Sequence, residues 1–280
     1  MKILVLVKQV PDTTEIKIDK VTNTLIRAGI KSIINPDDLA GVEEALKLKA
    51  LYGGTVTTVT MGPPQAEKMI RGLYARGVDH AYLLSDRKFA GSDTWATSRI
   101  LSTFIKTLDY DLIIAGYQAI DGDTAQVGPQ IAEFLDLPQV THVSKIVKAT
   151  KKEIVVEKSF ENDIYTLSAE LPALITTTST MNEPRYMSAY FIWTCFDKPF
   201  DTVVFDDLGI DQQTIGLNGS PTRVKKTYTK PVMQKAPKEV MEPEAAAKKI
   251  AQLIYPYMEV SNSWEHLQYL SNNVTKMYVL

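Results

Sequence analysis

The chain has 280 residues, 45% of them hydrophobic, enough for one large domain or two smaller ones with a buried core. Its 31 Lys and Arg stand against 33 Asp and Glu, a net charge of −2, so no global field favours nucleic acid or an anionic membrane. One cysteine, Cys195, excludes an internal disulfide framework and a cysteine-ligated zinc or iron–sulfur site, and His80, His142 and His266 lie too far apart for metal-ligand spacing, so no metal is expected.

The elements alternate. "KILVLVK" (2–8) is a continuous apolar run that suits a strand buried on both faces. It is too short for a signal-peptide core, and no stretch approaches the about 18 apolar residues of a membrane span, so a cytoplasmic protein is expected. "NPDDLAGVEEALKLKALYGG" (35–54) reads as a helix with Asn35 as N-cap, Pro36 in the first position, Asp37 and Asp38 at the positive dipole end and Gly53 as the stop. Strands follow at 55–61, 81–85 and 111–116, alternating with helices at 64–77, 92–108 and 124–136. Such alternation implies βαβ units, a parallel sheet and ligands beyond the carboxyl ends of the strands. Four loops are selected: 8–14, 61–64, 85–93 and 117–124.

The pattern changes after about residue 140. Residues 152–178 read as an antiparallel excursion that rejoins the main sheet at "ALITTT". After "NEPRY" (182–186) regular pattern is lost. A Pro- and Lys-rich stretch then leads to a helix at 242–258 with Ile250, Leu253 and Ile254 on one face. That helix suits docking on a partner or on its own domain.

The loop in "GYQAIDGDTAQVGPQIAEFL" (116–135) carries Asp121 and Asp123 and no cation. It is either an Asp-capped turn or a phosphate site. In the second case the backbone N–H groups of residues 124–128 hold the phosphate, Asp121 suits ribose hydroxyls and Asp123 caps the helix. No dinucleotide fingerprint, P-loop, nucleophile elbow or zinc-protease motif is present, and no acid–base or nucleophilic constellation stands out, so redox work would rest on a cofactor.

Five stretches point further: "ILVLVKQVPD" (3–12), "INPDDLAGVEEALKLK" (34–49), "VTMGPPQAEKMIRGLYARGVD" (59–79), "DLIIAGYQAIDGDTAQVGPQIAEFLDLPQ" (111–139) and "ELPALITTTSTMNEPRYMS" (170–188). In this order and spacing they resemble the β subunit of electron-transfer flavoproteins over roughly residues 1–255. The resemblance implies a Rossmann-like parallel α/β sheet of the adenine-nucleotide-binding (α-hydrolase-like) type, with an antiparallel excursion and an extended C-terminal arm. The domains would be 1–235, with a partner-docking loop at about 182–197, and 236–280, wrapping an α subunit. A non-redox nucleotide-binding module of similar fold would need neither "NEPRY" nor the arm.

Carried over by motif, the cofactor residues would be Leu6, Lys8, Asn35, Met61 and Gly62, then Asp121, Asp123, Thr124, Ala125, Gln126 and Val127. Simple members hold AMP there. Bifurcating members hold FAD, which takes a hydride from NADH and serves ferredoxin or flavodoxin on one side and, through the α-subunit FAD, a dehydrogenase such as an acyl-CoA dehydrogenase on the other. "VPDTTEIKID" (10–19), "INPDDLA" (34–40) and "GSDTWATSRIL" (91–101) resemble the bifurcating group. Ser92, Asp93, Thr94 and Thr97 would leave room for an isoalloxazine and hydrogen-bond it; a plain Ser/Asp cap before a core helix is the other reading. Tyr190, Phe191, Ile192 and Trp193 are large and apolar, as an anchor in a partner's pocket would be, or they pack on their own strands. The chain departs from the family at Ala189 and Tyr190, where a leucine-type anchor is expected, and at Ser159, where an acid is common. The tail 259–280 lies beyond the resemblance.

Overall fold

Lys2–Leu6 (β1) lies at the middle of the main sheet because its side chains are apolar on both faces. In a computed structural model, which describes residues 1–12, 31–161, 163–223 and 238–257, the chain divides into two compact units, Met1–Thr229 and Lys230–Leu280.

In the first unit β1 is followed by a short antiparallel ladder of Gln9–Pro11 (β2) and Ser32–Ile34 (β3), then Pro36–Tyr52 (α1), Thr55–Met61 (β4), Glu67–Tyr74 (α2) and His80–Leu84 (β5). Next come Thr94–Ile105 (α3), Leu112–Gly116 (β6), Val127–Phe134 (α4), Gln139–Ala149 (β7), Glu153–Phe160 (β8), Asp163–Glu170 (β9) and Ala173–Thr177 (β10). Ala189–Thr194 (α5), Asp201–Val203 (β11) and Gly216–Gly219 (α6) follow. The sheet order is β11-β5-β4-β1-β6-β10-β7-β8-β9. From β1 the chain moves outward through β4 and β5, then returns to place β6 on the other side, parallel to β1. The connections reverse direction between β1 and β6, and this is where an open α/β sheet leaves a crevice.

Strand periodicity divides the core. Ile3 and Val5 face α1 and α2, against Val42, Ala45, Ile70 and Leu73. Leu4 and Leu6 face α3 and α4, against Ile100, Phe104 and Ile131. Fully burying each such Leu or Ile contributes roughly 1.5–3 kcal/mol.

The excursion is as expected: β8 pairs antiparallel with β7 and β9, and β10 returns to pair parallel with β6. The run 139–149 is itself a strand, parallel to β10 and antiparallel to β8, with register shifts against both. Those bulges break the period-2 pattern by which a strand is recognised. The stretch after "NEPRY" also keeps regular structure, in α5 and in β11, which joins β5 at the sheet edge. Both elements are too short to leave a periodic signal. The helix expected at 124–136 begins at Val127, with Gln126 as its N-cap, so Asp123 does not cap it. Asp93 is the cap of α3 and accepts from the Ala96 N–H.

In the second unit Pro243–Ile254 (α7) starts with proline in its first turn and leaves Ile250, Leu253 and Ile254 exposed. Lys249 pairs with Glu239. Most of the stretch 10–19 and the tail 259–280 lie outside the described residues.

Candidate functional site

Beyond the carboxyl ends of β1, β4 and β6 lies a cavity of about 370 Å³. Leu6, Val59, Met61 and Leu101 are among its apolar lining, and Lys8, Asp93, Thr94, Thr97, Thr124 and Gln126 are among its polar lining. It meets the four loops selected from sequence.

The first turn of α1 supports the cavity from behind, and Asp38 of that turn lines it. Asn35, Asp37 and Asp38 are buried, although acids at a helix start ordinarily stay in water. Asn35 makes no side-chain cap; its amide donates to the Gln118 carbonyl at 2.8 Å and accepts from the Ile120 N–H at 3.2 Å. Asp37 accepts from the Ser179 N–H at 2.7 Å and the Gln118 N–H at 3.3 Å. Asp38 accepts from the Lys8 N–H at 2.7 Å and the Gly116 N–H at 3.0 Å. Three short polar side chains thus tie the ends of β1 and β6 and the 117–120 loop to one helix. Gly116 is required by space: a Cβ there would stand 2.0 Å from Asp38 Oδ1 and 2.8 Å from its backbone nitrogen.

The rim is made by the loop before α4. Asp123 and Ala125 hold left-handed φ values of 50° and 54°, which cost energy for residues with a side chain. Gln126, which follows, is right-handed. Ala125 and Gln126 are thus consecutive residues of opposite hand, the backbone pattern of a nest that suits an anion. Among the described residues, the N–H groups of Thr124 to Gly128 donate no hydrogen bond. Lys8 Nζ reaches across to Asp121, 2.7 Å from one carboxylate oxygen and 3.0 Å from the other.

The α3 side is partly committed to structure. Ser92 Oγ donates to the Phe89 carbonyl at 2.8 Å and accepts from the Gly216 N–H. Burial would raise the Asp93 carboxyl, but hydrogen bonds from the Ala96 N–H and from Thr222 outweigh it and hold the group below the usual carboxylate range. Thr94 Oγ1 donates to Gln126 Oε1 at 2.8 Å and joins the starts of α3 and α4. Behind Tyr117, which lines the cavity, stands His142, ring centroids 3.9 Å apart, on a left-handed φ of 59°. Burial first, then Lys158, lowers the His142 pKa.

The structure therefore brings together Leu6, Lys8, Met61, Ser92, Asp93, Thr94, Thr97, Thr124, Ala125, Gln126 and Val127 around one cavity. Asn35 lies behind the wall and acts through the 118–120 loop. Gly62, Asp121 and Asp123 do not line it; Asp121 is the partner of Lys8. Sequence reasoning passed over Asp38 by assigning it to the helix dipole. The available signal was two adjacent acids opening a helix whose next residues are apolar.

A second surface lies on α5. "NEPRY" fastens it to α1: Asn182 Nδ2 donates to the Ala40 carbonyl and to Glu44, and Arg185 to Glu43 at 2.8 and 3.1 Å. Burial would raise Glu43, but the hydrogen bonds and charge of Arg185 outweigh it and lower its pKa. Of the four aromatic and aliphatic residues on α5, Trp193 is 84% and Tyr190 70% exposed, and Ile192 is about half exposed. Phe191 turns inward, where its ring approaches Gly77.

Among the described residues no cluster of His, Cys, Asp and Glu could hold a metal, and no helix is long and apolar enough to cross a membrane.

Fold and crevice define an open, doubly wound α/β protein with a cavity at the topological switch point. A family model for the electron transfer flavoprotein domain matches residues 22–191. The chain is 50% identical over 230 residues to the electron transfer flavoprotein subunit beta of Thermoanaerobacterium thermosaccharolyticum, covering 82% of this chain and 88% of that one. It is 48% identical over 256 residues to the protein of the same name from Clostridium acetobutylicum, covering 90% and 98%. It is also 48% identical over 233 residues to the caffeyl-CoA reductase-Etf complex subunit CarD of Acetobacterium woodii, covering 82% and 88%. The chain belongs to the electron transfer flavoprotein β-subunit family.

Proposed function

We propose that this chain is the β subunit of an electron-transfer flavoprotein heterodimer and that its crevice holds FAD in a bifurcating complex. The observation that carries the nucleotide is the row of N–H groups from Thr124 to Gly128, unbonded among the described residues, in a turn with two left-handed residues at an apolar cavity. The residues fit such a group: amides for phosphate, and Leu6, Val59, Met61 and Leu101 for a flat ring system. Thr94 and Thr97 supply hydroxyls between α3 and α4 where a flavin ring would lie. Bound FAD would accept a hydride from NADH and release its two electrons singly, one to ferredoxin or flavodoxin and one through the α-subunit FAD to a flavin dehydrogenase of the acyl-CoA dehydrogenase type.

This chain's own part is to bind, orient and dock. Lys8 and Asp121 form an ion pair at the rim, placed to exchange partners when a phosphate or ribose enters. The exposed face of α5, Tyr190, Ile192 and Trp193, is assigned to the dehydrogenase, and residues 236–280 to the α subunit. The similarity to a subunit of a caffeyl-CoA reductase-Etf complex supports the dehydrogenase reading. A second reading has its own support. A cavity of about 370 Å³ lies near the small end of ligand sites, which suits AMP as a structural ligand of a simple electron carrier. Denaturing release of nucleotides from the co-purified heterodimer separates the two readings. Two FAD and no AMP are expected; one FAD and one AMP would replace the first reading with the second.

A further inference from the structure

Asp38 is a buried carboxyl without a cation to answer it. It lines the cavity, is 6% exposed, and accepts hydrogen bonds from two backbone N–H groups, those of Lys8 and Gly116. The Lys8 ammonium is turned away toward Asp121. From α1 itself the neighbouring Asp37 adds a like charge, and its carboxylate is held by the N–H groups of Gln118 and Ser179. Across the cavity Asp93 is engaged with Ala96 and Thr222, and Tyr117 stands on the β6 side. Among the described residues no Lys, Arg or His side chain bonds Asp38.

Lys8 lies two residues beyond β1 and Gly116 closes β6, the two strands that flank the switch point. A single carboxyl bridging both amides fixes the spacing there. We propose that Asp38 is the positioning residue of the crevice, holding the ends of β1 and β6 at working distance, and that it takes up a proton from solvent when an anionic nucleotide enters. This rests on the nucleotide reading above.

The reasoning is electrostatic. A phosphate brought into the same water-poor pocket disfavours the ionised carboxyl. Burial already pushes Asp38 up to about 7, against the lowering effects of the Lys8 N–H, Asn35 and the Gly116 N–H, with Asp37 adding to the rise. A modest added field therefore changes its proton occupancy at neutral pH. Once protonated, the group can still accept from one amide, so the clasp loosens without opening.

The test is isothermal titration of AMP, and separately of FAD, into the full chain near pH 7 in two buffers of different protonation enthalpy. The wild type is expected to take up on the order of half a proton, since a group titrating near the working pH is about half occupied before binding. Asp38→Asn, which turns an NH₂ toward one of the two N–H donors, is expected to take up none and to bind on the order of tenfold more weakly. Zero uptake by the wild type, or undiminished uptake by Asp38→Asn, overturns the proposal. The wild-type measurement decides alone if the variant does not fold. Binding without proton exchange overturns only this inference; no binding of either nucleotide by the wild type overturns the nucleotide reading and this inference with it.

Discussion

The crevice and the face of α5 are built by the same helix on opposite rules. At the crevice Asn35, Asp37 and Asp38 are buried and bonded to backbone, and the groups left free are N–H groups of the 124–128 turn. On α5 the backbone is fastened through Asn182 and Arg185 to the next turns of α1, and the groups left free are large side chains, Trp193 and Tyr190 above all. The crevice offers main chain held in place by side chains. The α5 face offers side chains, on a segment that is itself held by the side chains of Asn182 and Arg185. Substitutions should therefore act indirectly at the first and directly at the second.

The largest effect is expected at Gly116→Ala. Its Cβ would collide with Asp38, and neither backbone nor a doubly bonded carboxyl can yield cheaply. A loss of about 3 kcal/mol in denaturant unfolding is expected, as for overpacking, together with lost nucleotide binding. A stable variant with intact binding would mean that the clasp is soft. At Trp193→Ala the comparison predicts the reverse pattern. Melting stays unchanged because the ring is exposed, while dehydrogenase affinity falls by about tenfold or more, as for an aromatic anchor. A lowered melting temperature with unchanged docking would place Trp193 in the fold and not at the interface.

Arg185→Gln tests the link between the two regions. It leaves Glu43 buried without its cation, at a cost of about 2 kcal/mol, below the value for a wholly buried pair because Arg185 is partly exposed. The ordinary Glu43 value of 4.5 is lowered in the fold, so the pair stabilises fully above that value and its contribution is lost as pH falls through the depressed one. Acid unfolding curves of wild type and variant should converge in that range. If they run parallel, the pair does not carry the link. The smallest effect is expected at Ala125→Gly. Glycine accepts a left-handed φ, so stability should change by less than about 1 kcal/mol while nucleotide binding is kept. A marked loss of binding there would assign a contact to the methyl group in place of the N–H.

Sequence patterns revealed the alternating core because β1 and β6 are apolar runs and β4 is a run of β-branched residues, set between punctuated helices, and such patterns report burial directly. They also marked the loops that meet at the crevice, because chain topology dictates which strand ends face it. What they did not reveal depends on long-range contacts. Asp38 meets Gly116 across 78 positions, and Arg185 meets Glu43 across 142. β7 was hidden by its bulges and β11 by its length of three residues. Phe191 and Trp193 are alike in a helical pattern, and only the position of Gly77 separates the inward ring from the outward one.

The central claim is that main-chain amides, not side chains, hold the phosphate. Amide hydrogen exchange across residues 124–128, measured with and without bound nucleotide, tests it most directly. Exchange at Thr124, Ala125, Gln126 and Val127 should slow by an order of magnitude or more on binding, as N–H groups open to solvent gain an acceptor. Nucleotide bound with unchanged exchange in this turn would contradict the account and move the phosphate elsewhere in the crevice.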